Sequence, residues 1–137
     1  MIKLFLFTLL VPVFAFANRE SGGVGAPEIQ ERCYRLTDDL SKDYGGGPAF
    51  QLDAGRYWPE YKLVAVMIDR EHGSLKKSFV VEDVARSIGA PVTFRGENLK
   101  LAIFKTATPV RDGAKVYYPG RIELAGTAVE LKCETGH

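Results

Sequence analysis

The sequence predicts a mainly β fold, an antiparallel β-sandwich or small β-barrel carrying one or two short helices. Three observations carry this expectation. Short apolar runs recur between Gly, Pro, Asn and Asp turn signals from residue 49 onward. Apolar and polar residues alternate through 99–104 and again through 129–134, the period of a half-buried strand. The run Leu63-Val64-Ala65-Val66-Met67-Ile68 is apolar on both faces, as expected of a central strand covered on each side. That last feature also makes α+β, with a helix packed on an antiparallel sheet, the alternative class.

The chain opens with Lys3 and an almost unbroken apolar run from Leu4 to Phe14, followed by Ala15-Phe16-Ala17. This is the pattern of a secretory signal peptide, too short and too weakly flanked to span a bilayer. The expected organisation is therefore a signal peptide at 1–17, a flexible Gly-rich leader at 18–26 (NRESGGVGA) and one β-rich domain at 27–137. The first mature residue would be Asn18, so no lipid-anchoring cysteine stands there, and no stable membrane insertion is expected after the signal peptide is removed.

Within the domain, Pro27 to Lys42 reads as a helix. Pro27 suits a first helical position, Ile29, Cys33, Leu36 and Leu40 share a helical face, and Gly45-Gly46-Gly47 would stop it. A short strand at 33–37 is the competing reading. Strands are expected at 49–52 and 61–69, a turn at 71–74, a partner strand at 76–81 and a short helical turn at 82–88 ahead of Gly89. Strands then follow at 92–95, 99–104 and 116–118, and a closing hairpin bends at Ala125-Gly126. In that hairpin Val129, Leu131 and Cys133 share the inward face.

Cys33 and Cys133 are the only cysteines. In an oxidising compartment an even pair normally joins, and these two lack the close spacing of redox and zinc motifs. A structural disulfide spanning nearly the whole domain is expected. Of the 18 Lys and Arg, Lys3 lies in the expected signal peptide, and the remainder balances the 17 Asp and Glu. A neutral chain without basic clusters offers no long-range attraction for nucleic acid, which is not expected as a partner.

The residues that could carry chemistry are few. Asp69-Arg70-Glu71-His72-Gly73-Ser74 brings an acid, a base and a hydroxyl close together, but an exposed turn does that routinely. Asp69, Glu71 and His72 could also approach one metal ion, yet no second His or Cys lies nearby and no calcium-loop pattern occurs. No catalytic residue, metal ligand or cofactor is therefore assigned. His137, the last residue, is a poor candidate for a catalyst. The triple glycine at 45–47 lacks the Lys-Ser/Thr of a phosphate loop.

The aromatic run Tyr57-Trp58-Pro59-Glu60-Tyr61 has more to offer, since it holds the single Trp. Such rings either plug the end of a core or form a platform for sugars and proteins. Tyr57, Trp58 and Tyr61 are the candidate binding residues. The resulting expectation is an exported domain, periplasmic or extracellular, without catalytic activity, that binds a protein or a glycan. The alternatives are a small hydrolase using His72 with Asp69 or Glu71, and a β-barrel carrier of a small apolar ligand near Trp58.

Overall fold

The structure, a computed structural model, describes residues 27–135. The expected signal peptide and leader, and His137, lie outside the described residues. Ten strands form one antiparallel sheet that curls into a half-barrel. In chain order they are β1 (Glu28–Arg35), β2 (Phe50–Tyr57), β3 (Lys62–Asp69), β4 (Leu75–Val80), β5 (Asp83–Ala85), β6 (Val92–Gly96), β7 (Leu99–Ile103), β8 (Val110–Asp112), β9 (Lys115–Leu124) and β10 (Thr127–Glu134). Across the sheet the order is β4-β3-β2-β1-β10-β9-β7-β6-β5, with β8 paired on the free part of β9. The mainly β expectation is met.

The two short helices are absent from the described residues. Residues 28–35 are strand because Cys33 lies directly opposite both Leu52 of β2 and Cys133 of β10, filling the middle of the sheet. The helical spacing of apolar residues misled because Glu31 faces inward, which breaks the apolar alternation a strand would display. Residues 83–85 pair with β6 as a short edge strand, and Ile88 is fully exposed, so no apolar helical face exists there to bury. A third difference lies at 115–124, one strand rather than two. Pro119 is tolerated because it stands between the stretch paired with β8 and the stretch paired with β7, where no ladder donor is needed. At the closing hairpin Leu124 pairs with Thr127, with Ala125 and Gly126 both at positive φ (47° and 89°), as the turn signal predicted.

The concave face holds the core. Leu52, Phe94, Leu101, Ile103, Ile122 and Leu131 are buried around the Cys33–Cys133 disulfide. Gly120 makes room for that bridge, since a Cβ there would sit 3.0 Å from Cys133 Sγ and 3.1 Å from the Ala102 carbonyl oxygen. Glu31 is buried on the same face, with Lys105 Nζ 3.1 Å and Arg86 Nη1 3.8 Å from its Oε2. The arginine and lysine also lie over the Phe94 and Tyr118 rings, so two cations close this end of the core across aromatic faces.

The strands divide into two meanders, β1–β4 and β5–β10. They join where β1 meets β10 through three residue pairs, Arg35 with Leu131, Tyr34 with Lys132 and Cys33 with Cys133. By comparison, eight pairs join β2 to β3. The disulfide lies within this narrow seam. On the convex side the seam is covered by polar contacts that leave little water access. Tyr34 Oη donates to Glu134 Oε2 at 2.5 Å and meets Tyr117 edge-on, while buried Lys132 donates to Asp38 O and Asp112 Oδ2 at 2.7 and 3.0 Å. Burial first, and then the bond to Glu134, push the Tyr34 phenol well above its ordinary pKa, so it remains a donor.

A second junction lies between the sheet edges. Val81 N donates to Leu63 O at 3.0 Å, and the next residue, Glu82, donates to Arg95 O at 2.7 Å. The chain thus steps from β3 to β6 in two residues. The approach is close enough that a Cβ on Gly96 would collide with the Val80 carbonyl oxygen.

In the chain-entropy model a cross-link closing a loop of about 100 residues contributes roughly 4–5 kcal/mol. Replacing both Cys33 and Cys133 by Ser is expected to lower the unfolding free energy by about that amount, read from urea denaturation. A loss under about 1 kcal/mol would show that the seam does not depend on the bond.

Candidate functional site

The β2–β3 hairpin ends in the segment Trp58-Pro59-Glu60-Tyr61. Its conformation is held locally. Tyr61 N donates to Tyr57 O at 2.9 Å, and Arg56 Nη1 donates to Tyr61 O at 3.0 Å, with Tyr61 at φ 55° and a cis Trp58–Pro59 bond. Trp58 is 52% exposed and Tyr61 40% exposed. The aromatic run therefore does not plug the core: its two outer rings share the solvent-exposed tip. Tyr57 sits at the base of the tip, half-buried, its phenol pushed up by burial and by the nearby Asp53 carboxylate.

The frame beneath the tip is rigid in its polar contacts. Arg32 Nε and Nη2 grip both oxygens of Asp53 at 2.8 and 3.0 Å, and Gln51 Nε2 donates to the same carboxylate at 3.0 Å. Bidentate guanidinium–carboxylate pairing of this kind fixes geometry as well as adding energy.

Beside the tip lies a cleft of about 570 Å³. It is lined by the apolar Leu63, Val80, Val81 and Val84, with Leu63 and Val81 buried at its floor, and by the charged Arg56 and Lys62 of the hairpin and Glu82 and Asp83 after β4. Val81, whose N donates to Leu63 O of β3, and Glu82, whose N donates to Arg95 O of β6, both lie in its lining.

The other candidate residues lie at the far end of β3. Asp69 Oδ2 is 2.8 Å from His72 Nδ1, and His72 N donates to Asp69 Oδ1 at 3.2 Å. Glu71 Oε1 accepts from Arg35 Nη2 at 3.1 Å. One ligand atom from each of Asp69, Glu71 and His72 falls within 4.8 Å of the others, and the His72 side chain is 65% exposed. The three do come together, in an exposed turn where each acidic group already holds a basic one. Burial works to raise the Asp69 carboxyl, but its side-chain and backbone bonds with His72 together outweigh that and hold it below the ordinary carboxylate range.

No family description, curated protein or solved structure matches the chain, so its geometry carries the functional argument. The aromatic run at 57–61 could be found in the sequence. The cleft could not, because its lining comes from chain segments with no shared pattern.

The Asp69–His72 pair gives a direct check. A depressed carboxyl contributes stability above its unfolded pKa that is lost as pH falls through the folded value. His72→Ala removes the ring's bond to Asp69 Oδ2 while leaving the backbone N–H that bonds Oδ1, and is expected to move the Asp69 titration upward, followed by carboxyl-carbon NMR. An unchanged titration would show that the pair does not form in solution.

Proposed function

We propose that this is an exported, non-catalytic binding domain that engages a macromolecular partner, a glycan or a protein, through the Trp58–Tyr61 tip. The observation that carries the reading is the joint exposure of the chain's single Trp and a Tyr on a hairpin tip ordered by its own hydrogen bonds. Two aromatic side chains exposed side by side are of the residue types that dominate binding interfaces. Holding them in one conformation before contact lowers the ordering cost of association.

Two further features support work outside the cytoplasm, in the periplasm or beyond the cell. One is the signal-peptide pattern of residues 1–17. The other is the Cys33–Cys133 bond, which is compatible with an oxidising compartment. The near balance of acidic and basic residues fits recognition by stacking and hydrogen bonding rather than by long-range charge.

Because Trp58 is the only Trp, its fluorescence reports on the tip without labelling. Titration with a panel of soluble polysaccharides and extended peptides is expected to shift its emission for at least one member. Tyr61→Ala should then weaken that binding by roughly tenfold or more, the loss of one good aromatic contact. A silent Trp58 across the whole panel, or binding indifferent to Tyr61→Ala, would overturn the reading.

A further inference from the structure

We infer that the partner is a carbohydrate, and that a short stretch of neutral oligosaccharide runs from the Trp58–Tyr61 tip into the adjoining cleft; this rests on the tip being the binding element. The cleft begins where the tip ends, since Arg56 and Lys62 flank the aromatic segment in the chain and Arg56 is bonded to Tyr61 O. Its volume, about 570 Å³, lies within the range of small-ligand sites and is shared between apolar and charged side chains.

The decisive feature is the mixture of charges. The lining holds two cations, Arg56 and Lys62, and two carboxylates, Glu82 and Asp83, and among the described residues no ion pair joins the cations to the carboxylates. A ligand of one charge sign would be attracted by two of these groups and repelled by the other two. A sugar hydroxyl donates to a carboxylate and accepts from a guanidinium or ammonium, so neighbouring hydroxyls satisfy both kinds of group. The remaining face of a pyranose ring is apolar C–H, which suits the exposed indole and phenol rings at the tip and the apolar Leu63, Val81 and Val84.

An extended peptide would also offer donors and acceptors, but it would bind best by adding a strand, and neither sheet edge invites one. Edge strand β5 has three residues, and edge strand β4 carries Lys76 and Lys77, the kind of charge that discourages edge pairing. The charged cleft lining and the aromatic tip therefore favour a saccharide over a strand.

The test uses the intact, disulfide-linked protein with neutral trisaccharides as probes: β-1,4- and α-1,4-linked glucose, β-1,4-linked mannose and β-1,4-linked N-acetylglucosamine. Backbone NMR is followed at Leu63, Val81 and Val84, together with the Trp58 indole. At least one sugar is expected to shift both groups of signals with one shared Kd. The double variant Glu82→Gln/Asp83→Asn, on an element separate from the tip, should weaken that binding about tenfold, the loss of one to two hydrogen bonds to charged groups. Unchanged thermal unfolding would show that this variant keeps the fold. A Trp58 shift without any cleft shift, or affinity unaltered by the double variant, would overturn the inference while leaving the tip as a binding element. Silence of both groups toward every sugar would overturn it too. A Trp58 shift produced only by extended peptides would then identify the tip as a protein-binding element.

Discussion

The covalent bond between Cys33 and Cys133 is the constraint on which the rest depends, because it lies in the narrowest seam of the sheet. Each meander, β1–β4 and β5–β10, is built mainly from hairpin neighbours that can find one another locally. The pairing of β1 with β10 is different. It joins residues a hundred positions apart through only three residue pairs, and closing so long a loop costs entropy before any contact repays it. The bond removes that cost from the unfolded chain. The convex side reinforces it, with Tyr34 on Glu134 and Lys132 on Asp38 and Asp112 holding polar groups over the seam.

The second junction, where Val81 and Glu82 step from Leu63 to Arg95, has meaning only once the seam has set the two meanders face to face. The cleft draws its lining from both sides of this junction, Arg56 and Lys62 from the β2–β3 hairpin and Glu82 and Asp83 from the segment that leaves β4 toward β6. The disulfide, whose formation is compatible with an oxidising compartment, lies in the seam that joins the two halves of the sheet.

Much of the fold was readable in the sequence, for reasons that can be named. The strands at 62–69, 99–103 and 127–134 announced themselves by runs or alternation of apolar residues, and Ala125-Gly126 marked its own turn. The cysteine pair followed from number and spacing. Residues 28–35 were misread because a buried carboxylate, Glu31, replaces an apolar residue on the inward face and leaves a helical spacing by accident. The exposure of Trp58 and Tyr61 was not readable either. A Trp in a Pro-rich turn can fold inward or outward, and only the bonds from Tyr61 N and Arg56 show which. The cleft residues were invisible for a plainer reason: nothing local in 56–63 refers to anything local in 80–84.

If the seam is the shared constraint, its loss must be felt well away from the two cysteines. Native-state hydrogen exchange on the oxidised and reduced protein, compared strand by strand, measures this directly. The account predicts that reduction lowers protection in both meanders together, at Ala54 and Ala65 in the first and at Leu101 and Ile122 in the second as well as at β1 and β10. Loss confined to β1 and β10, with the other strands protected as before, would contradict it.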